Sequence, residues 1–265
     1  MLTKEKLYSQ LREMGAVPGV PVIMHTSLKS IGEIDGRAEA LLDWLIEYFT
    51  RDGGLFCVPT HTWHLMLNKD IPTLDLNKTE TCLGAFTKIA AEHKDGKRSL
   101  HPTHSMVVFG ESAESFIECE RSSLTMVPPS GCYGKFYELQ GKILLVGVGQ
   151  ESNTYMHSVE ERLGVPNRNE KTTIQTSIKY KDGRVVRRDI YQLLAEGIDD
   201  VSHQYPNYEA AFRYHGCIKD GYIGDAKAQF CDAVGIYNVM KMIFERSAGR
   251  ELLSDAAPIS EEYYI

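Results

Sequence analysis

The chain has 265 residues, 43% of them hydrophobic and 25% charged, with a net charge of −7. These proportions belong to a globular protein and exclude a disordered or fibrous one, and the length fits a single α/β domain over 1–265. The acidic balance speaks against a nucleic-acid partner and modestly favours a cationic ligand, although solubility alone accounts for such a charge.

Leu2, Leu7, Leu11 and Met14 recur at helical spacing, and Gly15, Pro18 and Gly19 stop that helix before an apolar strand at 20–24. No signal peptide opens the chain and no run nears the roughly 20 apolar residues of a membrane span, so a soluble, cytoplasmic protein without membrane contact is expected. The polar loop His25-Thr26-Ser27-Leu28-Lys29-Ser30-Ile31-Gly32 leads to a helix with Ala40, Leu41, Trp44, Leu45 and Tyr48 on one face. Asp52-Gly53-Gly54 ends that helix before a strand at 55–59, apolar as a strand buried on both faces should be. From 60 to 79 the periodicity disappears, and so long an irregular stretch marks a functional loop, here part of a ligand cleft.

A helix over 83–92 follows, then His101-Pro102-Thr103-His104-Ser105 entering a strand at 106–109, a short helix near 113–119, the loop Pro128-Pro129-Ser130-Gly131 and a helix to Leu139. The strongest strand is 143–148, after which Ser152 or Asn153 is expected to cap a helix running to Leu163 and ended by Gly164 and Pro166. Alternation at 172–178 and 185–190 around Lys181-Asp182-Gly183-Arg184 predicts a β-hairpin. A helix near 208–214, a short hairpin around Asp220-Gly221 and a long helix over 226–245 complete the chain.

This order of elements predicts a three-layer α/β/α sandwich with a largely parallel mixed sheet and a small antiparallel hairpin addition. Ligands of such sheets collect at the carboxyl ends of the strands, so the polar loops after Met24, Pro59 and Val148 should converge on one edge.

Four groupings along that edge could carry chemistry. The loop after the first strand could present N–H groups of Thr26, Ser27, Leu28, Lys29 and Ser30 to an anion, though it lacks the glycine spacing of a P-loop or dinucleotide fingerprint and could be an ordinary turn. His157 and Glu160 lie three residues apart on one helix, with Asn153 and Thr154 a turn earlier; a carboxylate beside an imidazole makes a general base, or else a surface pair of little consequence. Thr60 and Thr62, around His61, follow a buried strand and could donate to an oxyanion or merely form a turn. His101 and His104 flank Pro102, which rules out a metal pair on one helical face and leaves them as cleft wall. The six cysteines show no ligand spacing, so reduced thiols and no metal are expected. A serine hydrolase is a weaker alternative, because no G-x-S-x-G elbow occurs.

These segments together with Val58-Pro59-Thr60-His61-Thr62-Trp63, the segment 130–139, Leu144-Leu145-Val146-Gly147-Val148 and Asn153-Thr154-Tyr155-Met156-His157-Ser158-Val159-Glu160 resemble, in order, the signature blocks of the aminoglycoside 3-N-acetyltransferase family. Gly216, Ile223-Gly224-Asp225-Ala226 and Asp232 extend the resemblance over nearly the whole chain. It implies acetyl-CoA as cosubstrate and direct transfer to an amine of an aminoglycoside, or of a related amino sugar, as in antibiotic resistance. By position, His157 would deprotonate the amine, Glu160 would orient and charge-stabilise the imidazole, and the loop from Ser27 to Ser30 would hold the CoA phosphates. The segment 167–222 would form a smaller, acceptor-side lobe, and a homodimer stays open. The hairpin is basic, with Lys171, Lys179, Lys181, Arg184, Arg187 and Arg188, whereas a polycationic drug wants clustered carboxylates; Asp199, Asp200, Glu160, Glu161 and Asp75 are the local candidates. A non-catalytic protein binding CoA or a small cation on the same fold is the alternative.

Overall fold

The computed structural model describes every residue except Asn68 and Thr79. Thr79, the end of the irregular stretch beginning at Thr60, thus lies outside the described residues.

Helix α1 (Lys4–Glu13) starts where the Thr3 hydroxyl accepts the Lys6 N–H at 3.3 Å, and it buries Leu7 and Leu11 one turn apart. Next come β1 (Pro21–Thr26), α2 (Arg37–Phe49), β2 (Leu55–Pro59), β3 (Thr73–Asp75), α3 (Ala85–Glu92), β4 (Lys97–Arg98), β5 (Met106–Phe109), α4 (Ala113–Ile117), α5 (Lys135–Glu138) and β6 (Lys142–Val146). The second half holds α6 (Tyr155–Leu163), β7 (Asn169–Lys179), β8 (Val185–Leu193), α7 (Glu209–Tyr214), β9 (Ile218–Ile223), β10 (Ala226–Asp232) and α8 (Ala233–Arg246).

Seven strands pair in the order β4-β5-β2-β1-β6-β10-β9, and β3-β7-β8 form a separate three-stranded sheet. The large sheet is mixed, with its parallel part confined to β2-β1-β6 and antiparallel pairs on both flanks. Strand alternation divides the core in two. Val22, Met24, Phe56 and Leu144 face Leu7, Leu41, Phe49 and Phe86 of α1, α2 and α3, while Ile23, Cys57, Ile143 and Leu145 face Phe116, Phe136, Val159, Phe212 and Ile236 of α4 to α8. Helices therefore cover both faces, which gives the three layers. No described helix is long and apolar enough to cross a membrane.

Several expected elements shift. The segment 226–232, expected as the start of a helix, is β10: its burial alternates through Ala226, Ala228 and Phe230, it pairs with β6, and α8 begins only where the Asp232 side chain accepts the Val234 N–H. Asp220 and Gly221 lie inside β9, and the hairpin turns instead at Gly224, whose φ of +61° and contact with the Ile31 carbonyl leave no room for a side chain. Because β9 belongs to the large sheet, the small sheet is built from β7, β8 and β3 alone. Helix α6 is preceded by a 3-10 turn, Gln150–Ser152, and its N-cap position is Thr154 rather than Ser152 or Asn153, without a side-chain bond.

Candidate active site

The carboxyl ends of the three parallel strands open into a cleft of about 520 Å³, lined by Thr26 at the end of β1, Pro59 at the end of β2 and Val148 after β6. Gly147, just past β6, permits this convergence, since a Cβ there would sit 2.6 Å from the Cβ of Ser30. Thr154 and His157, Gln192 and Leu193 of β8, and Asp200 with Ser202 also line it.

His157 reaches the cleft from the first turn of α6, and its partner is Tyr205, whose hydroxyl lies 2.6 Å from His157 Nδ1. The same hydroxyl donates to Glu160 Oε2 at 2.7 Å. The expected direct His157–Glu160 contact is therefore corrected to a relay: i to i+3 spacing puts both residues on one side of α6, and the Tyr205 phenol fills the space between them. Glu160 Oε1 accepts Arg168 Nη2 at 2.9 Å, and Arg168 Nη1 meets Glu251 at 2.6 Å. Burial pushes the Glu160 carboxyl above its ordinary range, with Arg168 and Tyr205 pulling it back. Burial and the Glu160 charge push the Tyr205 phenol well up, so it stays protonated.

The protons can then be assigned. Glu160, an anion beside Arg168, only accepts, so the Tyr205 O–H points to it. The phenol oxygen must then accept the Nδ1–H of His157, which leaves Nε2 as the unprotonated nitrogen. Burial lowers the His157 pKa to about 4, against an upward pull from Asp200 and with Arg168 reinforcing it, so the imidazole is a free base at neutral pH. For Asp200, burial raises the carboxyl, but two hydrogen bonds from Ser202 and the nearby His203 and His157 outweigh it and hold the group below its ordinary range.

The other expected residues divide. Thr26, His104 and Thr154 line the cleft. Thr60 does not: it is buried, its N–H donates to the Ser105 carbonyl at 2.8 Å and its hydroxyl pairs with Ser105 Oγ at 3.1 Å, so both donors are engaged in joining β2 to β5. That removes Thr60 as an oxyanion donor. Thr62 is likewise tied to Thr103 and Pro102, and Asn153 is buried against Gln150. His101 lies behind the cleft, its Nδ1 accepting the N–H groups of Thr103 and His104 and its Nε2 donating to the Thr125 carbonyl at 2.9 Å. In the loop after β1, Ser27 N–H donates to Val146 and Ser30 N–H to Ser27, so these two amides are not free for an anion, and Lys29 and Ser30 are exposed. Ser30 lines a second cavity of about 880 Å³ that shares Val148 and Glu151 with the first.

Sequence reasoning missed Tyr205, Arg168 and Glu251. Tyr205 sits in the 3-10 stretch Val201–Tyr208, where no periodicity marks a face. Also missed was the buried row behind the cleft, in which His61 Nε2 lies 2.7 Å from Tyr133 Oη and the rings of His61 and His104 are 4.6 Å apart. His25 Nε2 and Thr26 Oγ1 are buried and have no partner among the described residues, although both side chains border the cleft. The ligand atoms of the adjacent Cys119 and Glu120 and of Cys132 come within 4.8 Å of one another; the positive charge of Lys135 near Cys119 opposes a cation there.

A profile of the aminoglycoside 3-N-acetyltransferase family matches residues 23–245, most of the chain. The protein belongs to this acyltransferase family. Among its relatives, an aminoglycoside N(3)-acetyltransferase III of Salmonella sp is 25% identical over 269 residues, covering 94% of this chain and 93% of the relative. The prophage-derived aminoglycoside N(3′)-acetyltransferase-like protein YokD of Bacillus subtilis is 26% identical over 180 residues, which span 61% of this chain and 65% of YokD. In three dimensions the crystal structure of YokD superposes with a TM-score of 0.77 at 21% identity, covering 95% of this chain and 96% of YokD. The enzyme AAC-IIIb in its binary complex with CoASH gives 0.79 at 19% identity, covering 92% and 97%, and both likenesses speak to the fold alone.

Proposed function

We propose that this family member transfers an acyl group directly from a CoA thioester to the amine of a small molecule. The observation that carries the reading is His157 lining the cleft with its Nδ1 bonded to Tyr205 and, through it, linked to Glu160 and Arg168, an arrangement that favours the tautomer with Nε2 unprotonated. Such a nitrogen can take the proton of an attacking amine, and the relay keeps the imidazole in the one tautomer that can do so. When the proton arrives, the nearby Asp200 charge stabilises the imidazolium.

The cosubstrate would supply an acyl carbon activated by sulfur. Buried polar atoms without a partner are rare, and His25 Nε2 and Thr26 Oγ1 at the end of β1 suit the polar groups of a thioester arm. Thr26 also replaces Thr60 as the hydroxyl able to donate to a developing oxyanion. The second cavity suits phosphates poorly, since Glu151, Glu209, Asp220 and Asp225 outnumber Arg213 and Lys227 in its wall. We therefore place the CoA phosphates outside it, near the exposed Lys29. Against a serine hydrolase, the hydroxyl of the cleft-lining Ser202 is bonded to Asp200 at 2.6 Å rather than to the His157 imidazole.

The test is thiol release from acetyl-CoA in the presence of amine acceptors. His157→Ala should lower the rate by about two to four orders of magnitude, the usual contribution of a general base, with CoA affinity unchanged by calorimetry. A loss of less than tenfold would assign the base elsewhere.

A further inference from the structure

The acyl-transfer reading leaves the acceptor open, and the cleft wall narrows it. Among the described residues no lysine or arginine lines the cleft, and the carboxylates that do are Glu151 and Asp200. Glu151 accepts the N–H of Gly149 at 2.7 Å and stands where the cleft meets the second cavity, on the side of Ser30. The remaining acids that could meet a polycation are engaged elsewhere: Glu160 with Arg168 behind Tyr205, Glu161 with the Thr125 hydroxyl, Asp75 with Lys179. Asp199 is exposed and outside the lining. In the second cavity, Glu209 and Asp220 both engage Arg213, and Lys227 shares the wall with Asp225.

The cleft that His157 lines has instead an apolar portion made of Trp63, Met66, Met126 and Leu193. It is tied to β8, since Gln192 Nε2 donates to Met66 Sδ at 3.6 Å and the Leu193 N–H donates to Met126 Sδ at 3.3 Å. Trp63, at the rim, keeps 40% of its surface exposed, and thioethers with an indole form a surface that adapts to flat apolar groups. A ligand carrying several ammonium groups would bring most of them against this wall unpaired, which desolvation penalises heavily.

We infer that the acceptor is a monoamine with an apolar, aromatic-sized body, its nitrogen between His157 and Asp200 and its body against Trp63, Met66, Met126 and Leu193. This assignment rests on the acyl-transfer reading. It is tested with the full chain, acetyl-CoA and three acceptors: 2-phenylethylamine, tryptamine and the polycation neomycin. The arylalkylamines should show kcat/KM at least tenfold above neomycin, and Trp63→Ala should raise their KM about tenfold with CoA affinity unchanged. Leu193→Glu, which adds a carboxylate to the wall, should move the ratio toward neomycin by tenfold or more. Equal or better turnover of neomycin by the unmodified protein would overturn the inference while leaving acyl transfer standing. Thiol release with none of the three, despite CoA binding, would overturn the acyl-transfer reading, and the acceptor assignment would fall with it.

Discussion

The Tyr205 hydroxyl is one atom with two obligations, and its geometry fixes the tautomer of His157. Because it donates to Glu160, it accepts from Nδ1. A long-range 15N–1H correlation spectrum should therefore show His157 protonated at Nδ1 near neutral pH, and a spectrum dominated by the Nε2–H form would contradict the relay. Tyr205→Phe removes the acceptor of that proton while keeping the ring that packs edge-on to the imidazole, with centroids 4.9 Å apart. Its expected cost is on the order of ten- to a hundredfold in kcat, part of what the base itself contributes, together with mixed tautomers in the same spectrum. Intact activity would mean that packing alone orients His157. The His157–Glu160 spacing was readable because helical periodicity is local, whereas Tyr205 was not, since nothing in 201–208 announces which residue turns inward.

Among the elements, Arg168 joins α6, through Glu160, to the segment after α8, through Glu251, from just before β7. Arg168 and Glu160 have side chains only 4% and 1% exposed, so removing one leaves the other as an uncompensated buried charge. Arg168→Met should cost about 3–5 kcal/mol in urea unfolding, and adding Glu160→Gln should return part of it, because the stranded anion is then gone. A cost below about 1 kcal/mol would mean that water reaches the pair. Long-range ties of this kind also explain which elements the sequence hid. Strands β2 and β5 were legible as apolar runs with turn residues on both sides. Strand β10 was not, because Ala226-Lys227-Ala228-Gln229 suits a helix as well as a strand, and the choice is made by pairing with β6, 82 to 90 residues away. Thr60 was misplaced for a related reason: a threonine after a buried strand can face a cleft or a neighbouring segment, and only Ser105, just before β5, decides.

Over the whole molecule, the interior around the cleft holds several neutral imidazoles, and that makes stability a function of pH. Burial lowers His25 and His101 to about 4, and His61 and His104 well below their ordinary value, with neighbouring histidines adding to the effect on the last two. In the unfolded chain each takes up a proton near pH 6.5, so between 6.5 and 4 the unfolded state binds more protons and stability falls as pH falls. His25 and His101 each contribute a loss of about 3 kcal/mol by pH 4. Glu120 acts with the opposite sign: burial raises it to about 7, against the pull of the Cys132 N–H and Arg188, so its stabilising protonated form is lost as pH rises from 4.5 through 7. One such carboxyl returns roughly what one histidine takes away, and the histidines are more numerous, so the net slope follows them. Urea midpoints should hardly change from pH 8 down to 6.5 and should drop steadily toward pH 4.5, by an amount equivalent to at least about 3 kcal/mol. A midpoint that holds constant to pH 4.5 would mean that these rings are already solvated in the folded protein, and His157, which shares their setting, would then titrate in the ordinary imidazole range rather than near 4.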